Sequence, residues 1–110
     1  MKPSSAKAKG RRLQNEVAAA FLRLSPDLRP GDVRPAIMGE SGTDIKLSPL
    51  AERLIPFDTE CKYQERLNIW AALAQTTANA RPGRTPLLVF RRNWSETYAT
   101  LPLDDLLGLL

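Results

Sequence analysis

The segment Phe57-Asp58-Thr59-Glu60-Cys61-Lys62-Tyr63-Gln64-Glu65 decides how this chain is read. Its first six residues alternate apolar or small side chains with charged ones. Strand side chains point to opposite faces with period two, so one face carries Phe57, Thr59 and Cys61. The other carries Asp58, Glu60 and Lys62, two acids and a base in a row. A solvated face would explain Asp58, which stands at the start of the strand. Solvation explains Glu60 and Lys62 less well, because a similar face occurs just upstream. There Asp44 and Lys46 alternate with Ile45 and Leu47. If the strands at 43–48 and 55–62 are neighbours, Asp44 sits beside Glu60. Two carboxylates held together repel and raise one pKa unless a cation joins them.

Composition narrows the chemistry. The chain has 110 residues, 43% of them hydrophobic and 25% charged, which suits one small globular domain. No apolar run approaches the roughly 20 residues of a bilayer span, and no signal-peptide core follows the basic N-terminus. A single cysteine, Cys61, cannot form an internal disulfide and fits a reducing cytoplasm; its place opposite the acids predicts a buried, inert thiol. The absence of histidine removes most nucleophile–histidine mechanisms and makes a zinc site improbable, so catalysis must use carboxylates, lysine or a hard metal.

Of the 16 lysines and arginines, Lys2, Lys7, Lys9, Arg11 and Arg12 fall among the first 12 residues, where there is no acid. Residues 1–9 are expected to form a flexible basic arm, and 10–110 the single domain. Such an arm contacts a polyanion or merely aids solubility.

Periodicity predicts a helix over roughly residues 10–24, with Leu13, Val17, Phe21 and Leu24 inward, and a second over roughly 65–79, with Leu67, Trp70, Leu73 and Ala74 inward. Short strands are expected at 33–38, 43–47 and 54–62, with turns at 39–42 and 48–53. A continuous apolar strand, 86–93, pairs across a turn at Trp94 with a partner strand, and a C-terminal helix has Asp104 and Asp105 in its first turn. The predicted order is α-β-β-β-α-β-β-α, a small α/β or α+β domain with a mixed central sheet flanked by helices.

The cation that would join Asp44 and Glu60 is Mg²⁺, which favours one or two carboxylates plus water and substrate phosphate. Lys62 beside it would orient an attacking water, which outlines metal-assisted phosphodiester hydrolysis. The pattern Asp44…Glu60-x-Lys62 resembles the PD-(D/E)XK nuclease superfamily. Within it the chain is most similar to the Holliday junction resolvase-like enzymes of archaea and phages. Glu16 in "RRLQNEVAAAF" matches their helix glutamate, Ser41 to Asp44 their Ser-Gly-x-Asp turn, and "ECKYQE" the continued third strand of phage relatives. Thr43 replaces the proline of the superfamily name, at a position that shapes only the turn.

The resemblance spans roughly residues 10–103. It implies a restriction-endonuclease-like core and assigns roles residue by residue. Asp44, Glu60 and the backbone carbonyl of Cys61 would hold Mg²⁺, with Mn²⁺ as a substitute. Lys62 would position the water, Glu16 would support the metal ligands from behind or bind a second metal, and Gln64 would bond a phosphate or the water. Ser41 would contact DNA near the scissile phosphate. Lys46 and the basic residues Lys9, Arg11 and Arg12 are the other candidate DNA contacts. The implied protein is a homodimer that cuts branched DNA, with no small-molecule cofactor and no membrane partner, in the cytoplasm of a cell or of a phage's host. The alternatives are a general phage nuclease for nicks, ends or packaging, and a non-catalytic DNA-binding relative. Among the remaining polar residues, Asn68 and Gln75 fall in a row with Gln64, and Trp94 with Arg91 and Arg92 could stack on DNA.

Overall fold

Phe57–Tyr63 is a strand, β3, and it lies parallel to β4, Thr85–Arg91, with Glu60 opposite Leu88 and Cys61 opposite Val89. The helix α3, Ile69–Asn79, connects them, as a parallel pair requires. A short strand β5, Tyr98–Thr100, returns antiparallel to β4, which makes β4 the middle of a three-stranded sheet. The central position matches its sequence: Leu87, Leu88 and Val89 are all buried, as a run covered on both faces must be. The computed structural model describes residues 3–110; residues 1 and 2, including Lys2 of the expected arm, lie outside them.

The two faces of this sheet are covered by different helices. Cys61, Leu87 and Val89 join Leu13, Val17 and Ala18 of α1, Pro3–Leu22, in the main hydrophobic cluster. Glu60 and Leu88 point the other way, towards α3, whose buried residues are Ala72 and Thr76. A second sheet is an antiparallel pair of β1, Val33–Pro35, and β2, Ile45–Leu47, in which Val33 and Ile45 contribute to the same cluster. The helix α2, Pro49–Leu54, joins β2 to β3, and α4, Leu103–Gly108, ends the chain. The molecule is thus a mixed α+β fold with helices and two sheets. Among the described residues no helix is long and apolar enough to cross a membrane.

Several expectations are corrected. The single central sheet is two sheets, because β1 and β2 are only three residues long and α2 intervenes before β3. Pro35 also lacks the N–H that would extend the ladder. The expected turn at 48–53 is α2: Ser48 accepts a hydrogen bond from the Ala51 N–H and Pro49 follows it, a strong helix start. The segment expected as a free arm is helical from Pro3, so Lys7 and Lys9 lie on the first turns of α1; Ala6, Lys7, Ala8 and Lys9 are good helix formers.

The helix expected from residue 65 starts at Ile69, capped by Asn68 Oδ1 on the Ala71 N–H at 3.1 Å. The preceding residues are tied elsewhere, the Gln64 N–H to the Arg91 carbonyl and the Glu65 carboxylate to the Asn93 N–H. Trp70, expected in the core, is 79% exposed. At 100° per residue it lies about 160° from Ala72, away from the sheet.

Candidate active site

Asp44 is where the two sheets touch. Its N–H donates to the Thr59 carbonyl of β3 at 3.0 Å, and its own carbonyl accepts from the Ala36 N–H at 2.8 Å. The loop that delivers it is braced from both sides. The Arg34 guanidinium grips both oxygens of Glu40 at 2.9 and 3.0 Å, and the Ile37 N–H bonds the same carboxylate. Together these hold Glu40 down to about pKa 2, the Arg34 bond foremost. Next, Lys46 Nζ donates to the Ser41 carbonyl. Gly42 takes a φ of +88°, which favours glycine in this turn.

The Asp44 side chain then reaches β3, where Oδ2 accepts from the Cys61 N–H at 2.8 Å. In a strand the N–H and C=O of one residue point to the same edge, so the Cys61 carbonyl opens towards Asp44 as well. Glu60, 3% exposed, lies beside it with Oε1 bonded by Asn79 Nδ2 at 2.9 Å. Burial pushes the Glu60 carboxyl up to about 7; the Asn79 bond and the Lys62 charge oppose this, and the charge of Asp44 and its closeness to the Glu60 carboxyl reinforce it. The adjacency of Asp44 and Glu60 expected from the sequence is therefore present.

The donor set suits a hard divalent cation. Two carboxylates and a backbone carbonyl are all oxygen, and beyond the Cys61 and Asn79 donors the two carboxyl groups have only each other as side-chain partners among the described residues. Lys62 follows on the same face, half-buried, with no hydrogen bond or ion pair there. The Cys61 thiol is buried and pushed up by that burial and by both acids, as an inert side chain should be.

The other predicted residues are dispersed. Glu16 is exposed on α1, the helix on the opposite face from Glu60, and no third acid, cysteine or histidine joins a metal-holding group among the described residues. Gln64 is exposed beyond the strand end and lines a different cavity, with Leu67, Phe90 and Tyr98. Asn68 is spent as a helix cap.

Ser41 and Lys46 line a cleft of about 420 Å³, shared with Arg34, Glu52, Asn79 and Arg81. Because Asn79 also bonds Glu60, this cleft adjoins the carboxylate pair and is rich in cations. Lys9 bonds Asn93 Oδ1 at 2.8 Å, Arg12 lines a hollow beside Trp94, and Arg11 donates to the Ala36 carbonyl at 3.1 Å.

Two features escaped the sequence reading. Asn79 reaches Glu60 because it continues the inward row Ala72, Thr76, Asn79 at i, i+4 and i+7. That row of small and polar residues was the available signal. Asp58, expected to be solvated, is 2% exposed. Arg81 bonds it through Nε, NH2 and its backbone N–H, and Arg84 through Nε. Burial would raise the Asp58 pKa, but these bonds outweigh it and hold the carboxyl below its ordinary value.

Compared with models of known protein families, with characterised proteins and with solved structures, the chain shows no significant match.

Proposed function

We propose that this chain is a Mg²⁺-dependent DNA endonuclease of the PD-(D/E)XK kind. The observation that carries the reading is the meeting of Asp44 and Glu60, one leading into the small sheet and one in the middle of β3. They lie side by side with no cationic side chain bonded to either among the described residues, and Lys62 follows on the strand. A divalent cation held by Asp44, Glu60 and the Cys61 carbonyl would polarise the scissile phosphate and acidify a water.

The chain's own residues do the rest. Asn79 fixes Glu60 Oε1. Lys62 Nζ holds the attacking water and balances charge building on the phosphate. Lys46, Arg34 and Arg81 line the cleft where a phosphate backbone would run. Glu16 and Gln64 have no step in this scheme.

Branched DNA is the proposed substrate and a homodimer the working unit, since two symmetric cuts call for two sites. The exposed leucines of the C-terminus, Leu103, Leu106, Leu107, Leu109 and Leu110, offer the apolar surface for it. The test is a competition between a labelled four-way junction and a linear duplex of equal length in Mg²⁺, with mass measured in solution. Paired nicking of the junction by a dimer is expected. No cleavage of either substrate overturns the nuclease reading, and equal cutting by a monomer overturns the resolvase-like part alone.

A further inference from the structure

Trp94 is fully exposed, at 100% of its accessible surface, and it is the one described non-glycine residue with positive φ, at +66°. An indole that packs against nothing and sits in a backbone conformation unfavourable to it lowers stability. Nothing within the fold explains its presence.

The turn that carries it is nevertheless tightly built. Arg92 N–H bonds Ser95 Oγ at 3.0 Å, Ser95 N–H returns to the Arg92 carbonyl at 3.2 Å, and Asn93 N–H bonds Glu65 Oε2 at 2.7 Å. Asn93 Oδ1 accepts from both Tyr63 Oη at 3.0 Å and Lys9 Nζ at 2.8 Å. The Arg91 guanidinium lies 5.1 Å from the Tyr63 ring centre and donates to the Ser95 carbonyl. The braced turn thus presents the indole to solvent beside a hollow of about 350 Å³ lined also by Lys9, Arg12, Tyr63, Arg91 and Asn93. Three of those five carry positive charge, and Lys9 has donors left after its bond to Asn93.

An exposed aromatic on a braced turn beside a cationic hollow has the chemistry of a base-stacking platform with phosphate contacts next to it. We infer that Trp94 stacks on a base of unpaired DNA while Lys9 and Arg12 hold the neighbouring phosphates. Tyr63 stands three residues beyond Glu60 on β3 and so points to the α1 face, which puts the platform past the strand end and on the other side of the sheet from the Glu60 side chain. A branch point or a frayed end supplies an unpaired base. The inference rests on the DNA reading above, but its test runs in EDTA and does not depend on cleavage.

The chain has two tryptophans, so Trp70→Phe leaves Trp94 as the sole indole. In that full-length protein the probe is an eight-residue oligothymidylate titrated in EDTA, with a blunt duplex of equal length as control. Saturable quenching by the single strand and little by the duplex is expected. Trp94→Ala lowers single-strand affinity by about five- to a hundredfold, and Trp94→Phe restores most of it. Lys9→Ala and Arg12→Ala each reduce the slope of log K against log salt by about 0.7. Trp94→Gly, which relieves the positive φ, raises the melting temperature while weakening binding; a structural role for the indole predicts the opposite sign for stability.

Unchanged Trp94 fluorescence while the oligonucleotide binds, equal quenching by duplex, or equal affinity of Trp94→Ala overturns the inference. A protein that cuts no DNA in Mg²⁺ yet shows this quenching keeps the platform and loses the nuclease reading.

Discussion

Asp58 and Glu60 stand two residues apart on one face of one strand, both at least 97% buried, and they live in opposite electrostatic worlds. Asp58 is surrounded by arginine: Arg81 and Arg84 satisfy both its oxygens, and its carboxyl is held below its ordinary value. Glu60 has a neutral amide on one oxygen, another carboxylate beside it and no cation bonded to it among the described residues, and burial drives its carboxyl up to about 7. A buried acid with its cations in place is part of the framework. A buried acid beside a second acid is a site that gains by taking a cation from outside. Sequence alternation alone cannot tell these two apart; their partners do.

The largest separation between them should be in activity. Glu60→Gln or Asp44→Asn is expected to lower cleavage by on the order of a thousandfold or more, since the cation is lost with several kcal/mol of transition-state stabilisation. The same variants should keep or raise the melting temperature, because a costly buried charge pair is removed. Wild-type rates from Glu60→Gln would put the chemistry elsewhere.

The next effect is in stability and belongs to the other acid. Asp58→Ala strips Arg84, itself well buried, of its carboxylate, and should cost roughly 3 kcal/mol or more in denaturant unfolding. A loss below about 1 kcal/mol would mean that Asp58 is no framework residue.

The pH profiles should diverge in sign. Glu60 is raised, so the fold favours its protonated form. Its stabilising contribution is complete below the ordinary value of 4.5 and disappears as pH rises through about 7. Asp58 is lowered, so its contribution is present above 3.8 and is lost as pH falls through its folded value. Melting temperature should therefore decline between pH 4.5 and 7 in the wild type and stay flatter in Glu60→Gln. Mg²⁺ should restore it at about pH 7 and above by replacing the proton.

The smallest change is at Asn79. Asn79→Ala removes the bond that opposes the upward shift of Glu60, so the acid limb of the pH–rate profile should move to higher pH and activity should fall about tenfold. An unmoved limb would mean that Asn79 only packs.

Much of this site could be read along the chain. The alternation from Phe57 to Lys62 marked the strand and its faces, whereas Asp44 was set beside Glu60 only on the condition that its strand ran next to β3; β2 pairs with β1 instead, and Asp44 reaches β3 from the loop before it. What was hidden depended on residues distant in sequence. Asp58 meets its arginines 23 and 26 residues downstream, in a Pro-Gly turn that reads only as a helix stop.

The exposure of Trp70 and the inward path of Asn79 both follow from where α3 begins. That start is set by Asn68 as cap and by Glu65 being drawn to Asn93, a contact spanning 28 residues. Apolar periodicity chose the wrong face there because the inward row, Ala72, Thr76 and Asn79, carries no large apolar side chain. The helix α2 was legible in principle from Ser48-Pro49, but six residues between two strands read as easily as a turn. The split of the sheet had no local signal beyond Pro35.

The most direct test is a calorimetric titration of Mn²⁺ into the wild type, Glu60→Gln and Asp58→Asn at about pH 6.5, just below the raised Glu60 value, in two buffers of different ionisation enthalpy. The wild type should bind the ion between Asp44 and Glu60 and release a proton as it does so. Asp58→Asn should do the same if it folds, and Glu60→Gln should show neither binding nor release. Binding by Glu60→Gln equal to the wild type, or no binding by the wild type, would contradict the claim that Asp44 and Glu60 form a cation site.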